Sequence, residues 1–163
     1  MQARATFLGH PIHQMIIVVP LGLLATTATF DVIGAARRNR QMLRSSKYML
    51  EAGLIGAAAS AIPGAMDYWS IPSGTRAKRI GLLHGVGNLV VTALFLTSWI
   101  KRRRNPARLS RAALVCSTTA AMTALVTGWL GGELVDRLGI GVHDDANVQA
   151  PNSLSNMTVR KAS

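Results

Sequence analysis

The sequence predicts an all-α integral-membrane protein: a four-helix up-down-up-down bundle with both termini on the outer, periplasmic side. Three observations predict it. Four stretches of about 20 residues are nearly free of charge,. The basic residues crowd into two of the linkers between those stretches. Glycine, alanine and serine stud the apolar stretches, as bilayer helices that pack closely require,.

Composition alone is ambiguous. The 163-residue chain carries a net charge of +11, yet 49% of it is hydrophobic and only 15% is charged. Its mean hydropathy is +0.27. Strong positive charge suggests nucleic acid or an anionic surface, whereas apolar composition suggests a membrane. The length suits one domain and leaves no room for a large two-domain enzyme. The apolar content excludes chain-wide disorder. One cysteine, Cys116, excludes an internal disulfide framework and an all-thiolate metal site,. Covalent haem attachment is excluded because no C-x-x-C-H run occurs.

The elements follow in order. The first apolar stretch, helix 12–36, holds only Asp31 beyond Met15. The second, helix 48–69, holds Glu51 and Asp67. The third, helix 80–100, has His84 as its one ionisable side chain. The fourth, helix 112–134, is uncharged from Ala112 to Gly132. A soluble bundle would show polar stripes, which these lack. Residues 1–145 therefore form the transmembrane domain, and 146–163 a polar, flexible C-terminal tail. No cleavable leader is expected, because only Arg4 is charged in the first ten residues and no cleavage site follows,.

Eleven of the 18 bases lie in two linkers: Arg37, Arg38, Arg40, Arg44 and Lys47 in one, Lys101 to Arg104, Arg108 and Arg111 in the other. This bias places those linkers in the cytoplasm of a bacterial inner membrane. The expected partners are membrane lipids and either a larger membrane complex or further copies of the chain. Nucleic acid is not expected, because no aromatics interleave the bases. Asp31 and Glu51 are expected to pair with Arg37, Arg38 or Lys47. Trp69, Trp99 and Trp129 fall at helix ends and read as an aromatic belt,.

Pro20 and Pro63 should loosen their helices. Gly81 with Gly85 and Gly128 with Gly132 form G-x-x-x-G pairs,. In the expected topology the first and third helices lie diagonally across the core. The two hairpins look faintly repeated, Asp67-Tyr68-Trp69 in one answering Trp129 and Glu133 in the other.

All four histidines fall at one face: His10 and His13 at the start of the first helix, His84 early in the third, His143 after the fourth. Asp67 and Glu133 close the second and fourth helices there. Ionisable groups at membrane depth mark functional sites. His10 and His13 share a helix face if the helix already runs there, and Pro11 suits a first helical turn. His13 and His84, on diagonal helices, could supply both axial ligands of a b-type haem, with His10 as replacement. Gly85 and Gly87 would leave room for the macrocycle, Arg76, Lys78 and Arg79 could pair with propionates, and Asp67 and Glu133 could tune the site. The alternative is a single Zn or Cu ion held by His10, His13, His84 and His143. The bland reading is a structural His84 bonded to Asp67 or Glu133, a surface His10–His13 pair and a solvated His143.

Several of these residues recur as a set: Gly9-His10-Pro11-Ile12-His13, Pro63 to Trp69, His84 with Asn88, Gly131-Gly132-Glu133 and Gly139 to Val142. The set resembles the bacterial membrane family termed domain of unknown function twenty-two thirty-one, over Leu8 to His143. The resemblance implies a four-helix inner-membrane domain. Some relatives are fused to Rieske-type iron–sulfur domains, which implies electron transfer. This chain departs from them in lacking a Cys/His cluster, and in carrying Gln14 where many relatives have a second proline.

Two functions are therefore expected in competition. The first is a small redox subunit binding haem b through the outer histidines. The second is a non-catalytic accessory subunit whose histidines are structural or hold one metal ion. A transporter would need polar groups across the bilayer, and a hydrolase would need a nucleophile elbow.

Overall fold

The computed structural model describes residues 1–105, 107–150 and 152. Of the expected tail over 146–163, residue 151 and residues 153–163 lie outside the described residues. A small ladder opens the fold, β1 (Thr6–Phe7) antiparallel to β2 (His10–Pro11). Its turn residues Leu8 and Gly9 both take positive φ, 50° and 83°, as a two-residue hairpin turn of the primed type demands.

The first spanning helix is split into α1 (Ile12–Ile16) and α2 (Val18–Ala36). The break sits one turn before Pro20, whose ring cannot accommodate an intact helix over the carbonyl of Ile16. Helix α3 (Arg40–Ser70) follows, with the Asn39 side chain accepting from Met42 N at 3.0 Å. It begins at Arg40 rather than 48, because the capped basic turns continue the helix beyond its apolar run. Thr75 caps α4 (Arg76–Arg102), and Ser110 caps α5 (Arg111–Gly132). A π-helical turn over Glu133–Arg137 ends α5. The unit α1–α2, α3, α4 and α5 with its π turn are each long and apolar enough to cross a membrane. They pack in a ring in which α2 meets α3 and α5, and α4 meets α3 and α5. The first and third spans are thus diagonal. The histidines, Met1 and the end of the fourth span lie at one end, here the terminal end, and both basic linkers at the other, the basic end.

The polarity is that of a lipid-facing bundle. Leu21, Ile55, Leu89 and Leu125 are exposed, whereas Thr27, Ser46, Ser60, Ser98, Ser117 and Thr127 are buried. A short apolar cluster of Leu24, Leu50, Val91, Phe95 and Ala120 fills the middle. Trp69 and Trp129 are exposed at the terminal end. Trp99 instead packs against the core and donates to Glu51 Oε1 at 2.8 Å, which also pairs with Lys47 at 2.7 Å. That departs from the expected belt, because Glu51 offers the indole N–H an acceptor inside the bundle.

The two hairpins are repeats in contact as well as in shape. His13 Nδ1 bonds Ser60 O at 2.8 Å, and His84 Nδ1 bonds Thr127 O at 2.9 Å. Thr27 Oγ1 donates to Ser46 O at 3.4 Å, and Ser98 Oγ to Ala113 O at 2.8 Å. Thr27 and Ser98 each lie 14 residues after their histidine, and Ser46 and Ala113 each 14 before the carbonyl that the histidine bonds. The true register therefore sets Ser60 against Thr127, and so Ile62, not the Asp67–Trp69 segment, against Trp129. Tryptophans mark the interface depth, not the packing equivalence.

One polar knot joins all four spans. Asp31 of α2 accepts from Arg102 Nη1 of α4 at 2.5 Å and from Ser117 Oγ of α5 at 2.7 Å. Ser46 of α3 donates to the same carboxylate. All four side chains are buried. The expected partners of Asp31, Arg37 and Arg38, are exposed on the linker instead, because they lie beyond the helix end. Nε and Nη2 of Arg102 have no hydrogen-bond partner among the described residues.

Breaking a buried pair leaves a charge without compensation, at a cost of about 3–5 kcal/mol. Asp31→Ala or Arg102→Ala should therefore lower stability in detergent by about that much, read by chemical unfolding. The double variant Asp31→Leu with Arg102→Met should recover most of the loss.

Candidate functional site

The terminal end collects every histidine, but on different elements. His10 lies in β2 and is exposed, while His13 begins the helical run one turn later. They do not share a helix face, because Pro11 is the helix N-cap in an extended conformation (φ −63°, ψ 120°). His143 is exposed near the C-terminal end of the described chain. Its ring lies 3.2 Å from Gln2 Nε2 and 3.2 Å from Gly9 O, with Asp145 at 3.5 Å.

His13 and His84 are the half-buried pair. Each ring lies against a glycine of the neighbouring helix. A Cβ on Gly64 would meet His13 Cε1 and Nδ1 at 2.9 Å, and one on Gly131 would meet His84 Cε1 at 3.1 Å. Gly64 and Gly131 come four residues after Ser60 and Thr127, one helical turn past the accepting carbonyl,. A carbonyl can only accept, so Nδ1 is the donor in both contacts, and in the neutral imidazole Nε2 then carries the lone pair,. Asn88 Nδ2, one turn along α4, lies 3.0 Å from His84 Nε2 and donates to that lone pair.

The remaining expected residues are committed elsewhere. Asp67 Oδ1 accepts from the backbone of Arg4 at 2.7 Å and of Ala5 at 3.3 Å, fastening the N-terminal segment over the end of α3. Glu133 pairs with Arg76 at 2.5 Å. Among the described residues, neither carboxylate bonds His13, His84 or His143. Lys78 donates to Tyr68 O at 2.8 Å and stacks 3.9 Å over the Tyr68 ring. Gly85 faces open space, with no atom within 4 Å of a Cβ, whereas the space beside Gly87 is filled by Thr127 Cγ2. The room expected for a macrocycle beside both glycines is thus present at Gly85 alone, on the outward side. Among the described residues, no group of three or more His, Cys, Asp and Glu side chains converges as a metal site.

Met1 and residues 139–141 complete the cap. The Met1 amine donates to Gly139 O at 2.9 Å, and Gly141 N donates to Met1 O at 2.9 Å. Gly139 and Gly141 hold φ at 65° and 80°, which lets the segment turn back after the π-helical turn,. Ser60 and Thr127 were not legible as site residues, because any residue offers a carbonyl. The glycine one turn later is the one sequence signal for them.

Gly64→Ala and Gly131→Ala should displace the histidine rings and each cost about 1–3 kcal/mol, as overpacking does. Gly85→Ala and Gly128→Ala, with open space at both positions, should leave thermal unfolding unchanged or raise it slightly through helix propensity. No curated protein and no solved structure matches the chain. The family described as "Predicted membrane protein (DUF2231)" matches residues 9–144, and the chain belongs to that family.

Proposed function

We propose that the protein is a non-catalytic accessory subunit of a larger assembly in a bacterial inner membrane, and that its histidines fasten its two hairpins. One observation carries this reading. The same contact occurs twice, as a histidine Nδ1 on a neighbour's backbone carbonyl with its ring against a glycine. A duplicated contact at equivalent positions is what a packing device needs, since each hairpin must be closed separately. Each bond gives an imidazole N–H an acceptor within the bilayer, where an unsatisfied donor is costly,. The outward faces at Gly85 and Gly128 leave room for a neighbouring helix or lipid,. In this reading the eleven bases of the basic end face the cytoplasm, and the termini face the periplasm,.

A second reading keeps electron transfer, and the tautomers favour it. With Nδ1 held by a carbonyl, Nε2 of His13 and His84 is the nitrogen left to ligate, as second-shell support of a metal-bound imidazole requires. These two residues would hold haem b or a single Zn or Cu ion, and Asn88 would have to release His84. His10 and His143 lie on the cap, at the same end.

The two readings separate in one preparation. Under the accessory reading, the purified protein is colourless and metal-free by elemental analysis, and His13→Ala and His84→Ala each lower stability by about 1–3 kcal/mol. A b-type α-band in a reduced-minus-oxidised spectrum, lost in His84→Ala, overturns it in favour of haem. For the orientation, a reporter fused at the C-terminus should be active only in its periplasmic form. Activity of a cytoplasmic reporter there would reverse the placement.

A further inference from the structure

The two basic linkers enclose a cleft of about 550 Å³, lined by Arg40, Arg44, Asn105, Ala107 and Arg108. Arg40 and Arg44 stand one turn apart at the start of α3, and Arg108 comes from the linker between α4 and α5. Among the described residues no carboxylate pairs with any of the three. The nearest acids along the helices that meet here are already committed, Asp31 to Arg102 and Glu51 to Lys47. Three arginines therefore line one cleft with no carboxylate partner among the described residues. Asn105, which lines the cleft, donates its backbone N–H to Arg102 O at 3.1 Å, so the linker is fastened to the end of α4.

We propose that this cleft binds a phosphate-bearing anion, either the headgroup of an acidic phospholipid or a free phosphate compound. Guanidinium groups match phosphate oxygens by paired, charge-assisted hydrogen bonds. The volume is that of a small-ligand site, in the range of about 300–1,000 Å³. The position suits it as well, because the cleft lies where the helices leave their apolar spans, at headgroup depth. Basic pockets between spanning helices at that depth recognise lipid phosphate. The inference rests on the basic end alone and is independent of what the histidines do.

Two probes distinguish the sources. Native mass spectrometry of the full chain, released from vesicles of mixed phosphatidylcholine and phosphatidylglycerol, reads the lipid retained. Calorimetric titration with inorganic phosphate, in nanodiscs of phosphatidylcholine alone, reads the free anion. One of them should bind saturably, and Arg40→Gln, Arg44→Gln and Arg108→Gln should each weaken binding about five-fold. Arg37→Gln and Arg104→Gln, exposed bases at the same end outside the cleft, should leave it unchanged. Retained phosphatidylglycerol assigns the site to lipid, and a phosphate isotherm assigns it to a soluble anion. The proposal falls if neither probe binds, or if the two control variants weaken binding as much as the cleft variants. All five side chains are exposed, so thermal unfolding of the variants should match the parent chain.

Discussion

The carboxylate of Asp31 is the point at which the four spans agree on a register. It is approached by Ser46, Arg102 and Ser117, so each spanning helix contributes one side chain to it. Inside lipid the usual hydrophobic drive between helices is missing, because hydrocarbon is as apolar as leucine. Specificity then comes from polar contacts that are satisfied in one arrangement only. Sliding any one helix by a turn would leave a buried charge or hydroxyl without its partner, at a cost of several kcal/mol. The apolar cluster around Leu24 and Phe95 tolerates such slippage far better, since its contacts are not directional,.

The spacing of the anchors explains how the first and third spans reach this knot and the histidine layer on the same face, since Ile17 keeps helical dihedrals (φ −62°, ψ −23°) at the break in the first span. Asp31 lies 18 residues after His13, and Arg102 lies 18 after His84. Eighteen residues are five whole helical turns, about 27 Å along the axis. The hydroxyl anchors Thr27 and Ser98 fall four residues before the charged pair, one turn short of it,. A single inward stripe thus carries histidine, hydroxyl and charge at successive depths, in both hairpins. Asp31 and Arg102 occupy equivalent positions in the repeat, yet they are opposite in charge. Two identical hairpins would oppose acid to acid or base to base there. The unlike pair therefore makes the halves complementary and no longer interchangeable.

This pattern shows what could be read before the structure. The four spans, the crowding of bases at one end and the gathering of histidines at the other were legible, because hydropathy and charge are properties of local sequence. The true partner of Asp31 was not. Arg37 and Arg38 are near it in sequence and chemically adequate, whereas Arg102 is brought close only by the packing of α2 and α4 around the bundle. Glycine spacing was informative only in part. Of the G-x-x-x-G pairs, Gly81 packs against Tyr68 and Ile71, while Gly85 and Gly128 face outward, and the histidine contacts fall on Gly64 and Gly131. Spacing along one helix reports a shared face, but not whether that face looks inward. The acceptors of the two histidine bonds were invisible for a further reason, since every residue carries a carbonyl.

The two ends of the bundle are built on opposite electrostatic principles. At the terminal end the charges are largely consumed within the chain: Asp67 by backbone donors, Glu133 by Arg76, Asp144 by the Met1 amine. The strapping of the N-terminal segment and of residues 139–145 across the helix ends depends on that closure. At the basic end, eleven bases meet two acids, and both acids are held inside the bundle. An excess of this kind opposes folding by self-repulsion, which counter-charge outside the chain relieves. Anionic headgroups supply such relief at the membrane surface within a Debye length. The inner face of the fold is thus settled by Asp31 and Arg102 neutralising each other, and the basic end is settled only with its surroundings. That division, a self-sufficient core beside an end that needs counter-charge, makes the membrane part of the folding equilibrium of this bundle and not merely its location.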